Sequence, residues 1–145
     1  MAARLPFFFF GTLMDRDLLE RVAGQPVSAR QIEPAAIAGY RRTGVIGRAY
    51  PILVRSTGSR TAGIVVHGLD GRAARRLDAY EGSNYRLTPV TVTQANGRAI
   101  EAVVYLFRDE RKSDRRLWRL ADWQRRWKRR ALRRAARLKT PPKGI

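Results

Sequence analysis

The chain has 145 residues, 44% of them apolar, and contains no cysteine. That length suits one domain with a substantial core, and the lack of cysteine excludes disulfides and thiolate catalysis. His67 is the only histidine. A histidine-rich metal cluster is therefore excluded, and a Ser-His-Asp triad would have to use that residue.

The formal net charge of +18 is unevenly distributed. Residues 1–110 carry 15 arginines against 10 acids, a net charge of +5, whereas residues 111–145 carry 15 basic against 2 acidic residues, a net charge of +13. We therefore predict a domain at residues 1–110 and a basic helical extension at residues 111–145. Such asymmetry favours an anionic partner for the extension, either nucleic acid or a membrane surface.

No apolar run approaches the length of a transmembrane helix. Arg4 followed by the apolar segment Leu5–Phe10 is similar to the start of a signal peptide. However, the run is short, Asp15 follows soon after it, and no small-residue cleavage site is present. We interpret the segment as a buried strand and the protein as cytoplasmic.

The first half of the chain predicts several strands and one helix. The strand Leu5–Phe10 ends at Gly11, and its wholly apolar composition is typical of a strand covered on both faces. A tight loop at Gly11–Leu13 precedes a short helix, capped by Asp15 and closed by Gly24. Further strands are predicted over Pro26–Ile32, Ala35–Tyr40, the end of Gly44–Val54 and Thr61–Leu69, with a turn at residues 56–59.

The second half predicts one more helix and a hairpin. Asp70 can cap a helix over Gly71–Tyr80. The strands Tyr85–Thr93 and Ala99–Phe107 flank Asn96-Gly97, a strong hairpin signal. The economical fold class is α+β, with a small mixed, mostly antiparallel β-barrel or sheet and flanking helices.

The basic extension predicts one long amphipathic helix that begins at Ser113 or Asp114 and ends at Pro141-Pro142. Its predicted apolar face comprises Leu117, Leu120, Ala121, Gln124, Trp127, Ala131, Ala135 and Leu138. Its predicted cationic face comprises Arg119, Arg126, Arg129, Arg130, Arg133 and Arg137. We expect the tryptophans of this segment to anchor it to the domain. The alternative is a helix that binds a polyanion in a salt-dependent way.

Glu81 is the candidate proton carrier, at the end of the second predicted helix and directly before Gly82. An apolar pocket would raise its pKa and let it exchange protons near neutral pH. The alternative is a solvated carboxylate at a helix end. Asp78 would share a helix face with Glu81, as a second acid or a surface residue. We expect His67 to be a packing residue, and Tyr105 to be in the core with a partner for its hydroxyl.

The loop Gly11–Leu13 can present backbone N–H groups to a carboxylate or an oxyanion. The alternative is a simple turn. Together with Glu81 it belongs to an ordered set of motifs that resembles the gamma-glutamylcyclotransferase-like superfamily, in its AIG2-like branch. The matching segments are Phe8–Met14, Gly39–Arg41, Tyr50–Val54, Gly63–Val65, Leu77–Gly82, Tyr85-Arg86 and Ala102–Tyr105.

The resemblance implies a small barrel and a reaction on a γ-glutamyl amine or peptide that forms 5-oxoproline, with no metal or cofactor. It assigns to Glu81 the role of general acid and base. It implies that the amides of the glycine loop bind the glutamyl carboxylate. The implied substrate-binding residues are Phe10, Gly11, Thr12, Leu13, Tyr50, Pro51, Tyr85 and Tyr105. Phe10 departs from the family, which usually has tyrosine there, so a hydroxyl is lost.

Overall fold

The computed structural model of the protein describes residues 4–136. The strands are β1 (Phe7–Phe9), β2 (Ile32–Val45), β3 (Pro51–Val66), β4 (Tyr85–Gln94), β5 (Ala99–Phe107) and β6 (Ser113–Leu117). The α-helices are α1 (Arg16–Ala23), α2 (Gly71–Glu81), α3 (Leu120–Arg126) and α4 (Lys128–Ala136). Short 3₁₀ turns occupy Thr12–Met14, Ala29–Gln31 and Glu110–Lys112.

Five of the strands close into a barrel in the order β3-β1-β5-β4-β2, and β2 pairs with β3 to complete it. The pairing of β1 with β5 is parallel, and the other pairings in the barrel are antiparallel. β6 adds to β2 as an extra strand outside this closed set. The predicted α+β class with a mixed, mostly antiparallel barrel is confirmed.

The run of phenylalanines in and after β1 joins two hydrophobic cores. Phe8 and Phe10 lie in the core of the barrel, whereas Phe7 and Phe9 lie in a second core against the helices. Successive residues of a strand point to opposite faces. Because both faces of β1 are covered, every position in it is apolar, as predicted for a central strand.

The predicted strand over Pro26–Ile32 is wrong. Residues Ala29–Gln31 form a 3₁₀ turn, in which the Gln31 side chain accepts a hydrogen bond from the Ser28 N–H (2.9 Å). β2 instead begins at Ile32 and continues through Pro34. Pro34 has no N–H to donate to a neighbouring strand. It pairs with β3 on one side, and β4 pairs with β2 only from Ala35 onward, so no hydrogen bond to β4 is lost at this position.

The turn predicted at residues 56–59 lies inside β3. The pairing of β3 with β2 shifts from Ala38 opposite Arg60 to Tyr40 opposite Arg55. The four residues 56–59 therefore lie outside the register of these two strands, as a bulge next to Gly39. The hydroxyls of Ser56 and Ser59 are 2.6 Å apart and bridge the bulge. A turn signal in the sequence thus marks a bulge within one long strand.

The single long helix predicted from Ser113 or Asp114 is also wrong. Ser113–Leu117 is strand β6, which pairs with β2. The Ser113 hydroxyl lies 2.6 Å from that of Thr43, and the Asp114 carboxylate accepts from the Arg116 N–H (2.8 Å). These short-range bonds favour extended chain over helix.

Helical structure begins at Leu120 and is interrupted at Trp127, between α3 and α4. Leu117 and Trp127, both predicted on the apolar face, are 65% and 39% exposed. Trp118 and Trp123 are buried instead, so two of the three tryptophans anchor the extension as expected. Arg137, Leu138 and Pro141-Pro142 lie outside the described residues.

Lys128 ties the extension to α1. Its Nζ lies 2.9 Å from Asp15 Oδ2 and 2.8 Å from Asp17 Oδ2. Asp15 is 3% exposed, caps α1 through the Leu18 N–H (3.0 Å) and accepts from Gln124 (2.8 Å). Burial opposes ionisation of Asp15, but these hydrogen bonds outweigh burial and lower its pKa. Asp15 is therefore a buried carboxylate whose charge depends on partners from the extension.

We expect Lys128→Ala to lower the free energy of unfolding by about 1–3 kcal/mol, because Asp15 loses a charged hydrogen-bond partner. Chemical denaturation at pH 7 measures this change. Arg129→Ala is the matched control, since Arg129 is the exposed neighbour of Lys128 on α4. Equal stability of the two variants would show that the bond from Lys128 to Asp15 contributes nothing.

Candidate active site

Helix α2 fixes the position of Glu81. The Asp70 carboxylate accepts from the Ala73 N–H (2.9 Å), which confirms the predicted cap. Leu77 is fully buried in the core beneath the helix. Gly82 ends the helix with a φ of 77°, a conformation that favours glycine. Glu81 is consequently the last residue of a helix held at both ends and along one face.

The Glu81 carboxyl is partly buried, and its pKa is raised from 4.5 to about 8. Burial is the larger cause, because it disfavours the charged form. The negative charge of Asp78 acts in the same direction. Near neutral pH this carboxyl is mostly protonated but close to its pKa, which is the condition for both accepting and releasing a proton.

Three tyrosines, Tyr80, Tyr85 and Tyr105, lie close enough to Glu81 to be affected by its charge, and together with Tyr50 they form the tyrosine cluster. Burial and the charge of Glu81 both raise the pKa values of Tyr80 and Tyr85. The ring of Tyr85 also packs against that of Tyr50, with centroids 6.4 Å apart. Burial, a hydrogen bond to Asp78 and the charge of Glu81 raise the pKa of Tyr105. The three affected phenols therefore stay protonated near neutral pH, and that of Tyr105 donates a hydrogen bond to Asp78.

Asp78 accepts a hydrogen bond from the Tyr105 hydroxyl. Tyr105 is 6% exposed, so the expectation of a core tyrosine with a partner for its hydroxyl is confirmed. Asp78 itself is exposed, yet it acts on both Tyr105 and Glu81. It thus connects β5 to the acid at the end of α2.

The glycine loop lies against the same cluster. A Cβ on Gly11 would lie 2.8 Å from Cγ of Pro51, so only glycine fits this contact. The Thr12 hydroxyl hydrogen-bonds to Tyr80. In the 3₁₀ turn that follows, the N–H groups of Met14 and Asp15 donate to the carbonyl oxygens of Gly11 (3.0 Å) and Thr12 (3.0 Å). The N–H groups of residues 11–13 precede them and have no acceptor within the turn.

The structure brings together most of the residues that the sequence predicts for the site. Glu81, Tyr50, Tyr85, Tyr105 and Thr12 belong to the cluster, and Gly11 lies against Pro51. The side chains of Phe10 and Leu13 lie in the two cores, 7% and 3% exposed. Because both side chains are buried, these two residues could contact a substrate only through their backbone atoms, and that contact stays a prediction.

Sequence reasoning did not assign Tyr80 to the site and left Asp78 undecided. Their adjacency to Glu81, at one and three residues, was the available signal. The expectation that His67 packs in a strand is wrong, because β3 ends at Val66 and the His67 side chain is 47% exposed, 2.9 Å from Glu33.

Two kinds of site are not seen in the described part of the chain. Within residues 4–136, no three His, Asp or Glu side chains are arranged to hold a metal ion. None of the helices in that range combines the length and apolar character needed to cross a membrane.

The fold and this cluster define a small α+β barrel protein with a candidate acid–base site. The chain belongs to the family described as "Gamma-glutamyl cyclotransferase, AIG2-like", whose model matches residues 7–125. AIG2-like protein A of Arabidopsis thaliana is 27% identical over 120 residues, which cover 81% of this chain and 71% of that protein. Protein AIG2 C of the same plant is 28% identical over 95 residues, which cover 63% of this chain and 56% of that protein.

Solved structures share the fold at lower identity. A solution structure from Arabidopsis thaliana matches with a TM-score of 0.66 and 23% identity, over 90% of this chain and 87% of that one. A structure titled gamma-glutamyl cyclotransferase matches with a TM-score of 0.57 and 16% identity, over 72% and 67% of the two chains. These likenesses support the barrel and its helices as a family fold.

Proposed function

We propose that this protein converts a γ-glutamyl amine or peptide into 5-oxoproline and a free amine, with Glu81 as general base and then general acid. The observation that carries the proposal is the raised pKa of Glu81, about 8, inside a cluster of protonated tyrosines. Membership of a gamma-glutamyl cyclotransferase family supports the same reaction class.

The reaction is a transfer within one molecule. The Glu81 carboxylate takes a proton from the α-amino group of the substrate, and the freed amine attacks the γ-carbonyl carbon. A new C–N bond closes a five-membered ring as the C–N bond to the departing amine breaks. Glu81 returns its proton to that amine, which also takes up the second proton lost by the ring nitrogen, so no water and no co-reactant are consumed. Holding the amine against the carbonyl supplies much of the acceleration.

The remaining residues serve binding and orientation. The N–H groups of Gly11, Thr12 and Leu13, which have no acceptor within the turn, hold the substrate carboxylate, as backbone donors at the start of a turn can. Tyr85 and Tyr50 form an aromatic wall beside Glu81. The Phe10 carbonyl accepts a hydrogen bond from the Arg42 side chain (2.9 Å). This bond fixes the backbone of Phe10 and so helps to orient the adjoining Gly11.

The direct test is to incubate the pure protein with γ-glutamyl amino acids, glutathione and γ-glutamyl derivatives of lysine and simple amines. Mass spectrometry then measures 5-oxoproline and the released amine in equal amounts. We expect both products from at least one substrate class. Release of glutamate in place of 5-oxoproline would indicate hydrolysis and contradict the proposal, as would no product from any substrate.

The rate should depend on the protonation of Glu81. Because the carboxylate form accepts the substrate proton, kcat should rise with pH and level off above about 8, the pKa of Glu81. Asp78→Asn removes a negative charge that raises this pKa, so the inflection should move to lower pH. Asp122→Asn is the control, because Asp122 is exposed on α3 and pairs with Arg125. If the inflection of the kcat profile stays at the same pH in Asp78→Asn, the inflection reports a group other than Glu81.

In the described part of the basic extension, residues 111–136, no specific observation favours polyanion binding. α4 packs on α1, where Arg21 donates to the Leu132 carbonyl (3.3 Å) and Lys128 is engaged with Asp15 and Asp17. A division of the chain at residue 110 stays a prediction, and β6, which follows that point, is paired with β2.

A further inference from the structure

A groove of about 720 Å³ is lined by residues of β2, β3, β4 and β5 and of the segment that follows β5. Leu53 and Leu106, residues of the barrel core or packed against it, form its floor. This volume is typical of a small-molecule site and far exceeds the space that one carboxylate needs. The proposed function assigns no role to this groove.

Three arginines line the groove, and each comes from a different strand or strand end of the barrel. They are Arg55 on β3, Arg86 on β4 and Arg108 directly after β5. Glu110 is the single acid among the lining residues, and its carboxylate accepts from the backbone N–H of Arg55 (3.2 Å). Within residues 4–136, no salt bridge involves any of these three arginines. With three arginines against one acid, the groove lining carries a net positive charge.

The groove borders the tyrosine cluster. Phe107, a lining residue, packs edge-on against Tyr85 with ring centroids 5.1 Å apart. Arg108 donates from its backbone N–H to the Asn84 carbonyl (2.8 Å) and from Nε to the Ser83 carbonyl (2.8 Å). Arg108 is thus fixed to the segment that immediately follows Glu81. Phe107 and Arg108 therefore connect the groove to Tyr85 and to the residues that follow Glu81.

We propose that this groove binds the departing amine of the substrate and selects amines that bear two or more anionic groups. One carboxylate is satisfied by one arginine, through a two-bond fork. Three guanidinium groups without a salt bridge in one groove therefore match more than one carboxylate or phosphate. Arg86 and Arg55 supply the binding charge, and Arg108 joins the groove to the reaction site. This proposal rests on the proposed function for its substrate.

The test compares two substrates of similar size. In γ-glutamyl-glutamate the departing amine carries two carboxylates, and in γ-glutamyl-glutamine amide it carries none. We expect the wild-type protein to prefer the acidic substrate through a lower KM. Arg86→Gln should raise KM for the acidic substrate about 10-fold, as loss of a charged hydrogen bond implies, and raise KM for the neutral substrate much less.

Arg98→Gln is the matched control, because Arg98 is an exposed arginine beyond β4, outside the groove lining. It should change neither KM. Equal KM values for the two substrates in the wild type, or an equal effect of Arg86→Gln on both, would overturn the proposal.

Titration with free glutamate separates this proposal from the proposed function. The arginine Nε–H signals in NMR spectra should shift on adding glutamate to the wild type and not to Arg86→Gln. If no substrate is turned over but this binding is seen, the proposed reaction fails and the anion site stands. If turnover is seen without binding or preference, the reaction stands and the groove proposal is overturned.

Discussion

Glu81→Gln is expected to lower kcat by a factor of about 10²–10⁴, the usual contribution of a positioned acid–base group. Glutamine keeps the size and the hydrogen-bonding oxygen of the side chain but cannot carry a proton. The substrate amine would then stay largely protonated, and the departing amine would leave without its proton. Measurement of 5-oxoproline release under saturating substrate gives this factor directly.

Two controls make that result specific. Glu101→Gln makes the same chemical change at an exposed position on β5 and should leave kcat unaltered.

The second control is the free energy of unfolding, measured as a function of pH. The pKa of Glu81 is raised in the folded protein, so the folded state binds more protons between about pH 4.5 and 8. The wild-type free energy of unfolding therefore falls as pH rises through this range.

Glutamine has no charge to bury, so Glu81→Gln should be more stable than the wild type at pH 8 and closer to it at pH 4.5. A variant that is inactive and more stable has lost chemistry rather than fold. A folded Glu81→Gln that keeps the wild-type kcat would contradict the assigned role.

Leu77→Ala is expected to lower the free energy of unfolding by about 2–5 kcal/mol, the range for removing a fully buried leucine. Leu77 has no exposed surface and lies one helical turn before Glu81. Its loss leaves a cavity beneath the end of α2, in the core that also holds Phe7 and Phe9. Urea denaturation followed by circular dichroism measures the change.

Arg75→Ala tests whether the effect belongs to the buried face of the helix. Arg75 is exposed on the same helix, and its replacement should change stability by less than about 0.5 kcal/mol. A loss of the same size in both variants would contradict packing beneath Glu81 as the cause of the effect, because alanine does not lower helix propensity.

Local signals in the sequence predicted the elements that hold the site. The caps Asp15 and Asp70, the glycine Gly82 and the hairpin at Asn96-Gly97 each act within a few residues. These elements form where predicted because their stabilising bonds are short-range. Glu81 was therefore placed correctly at a helix end.

Features that depend on distant partners could not be predicted in the same way. β6 forms because Ser113 and Leu117 meet β2, about 70 residues away in the chain. The predicted amphipathic pattern through Leu117 and Trp127 could not reveal this pairing. The role of Asp78 is similar, since its partner Tyr105 lies 27 residues later on β5. Only the closed barrel brings these groups together.

The most direct measurement is the pKa of the Glu81 carboxyl, from an NMR titration of protein labelled with ¹³C at its glutamate side chains. Glu81→Gln identifies the signal by its disappearance. We predict a midpoint near pH 8, coincident with the inflection of kcat. A midpoint near 4.5, with kcat independent of pH around 8, would contradict Glu81 as the buried proton carrier of this site.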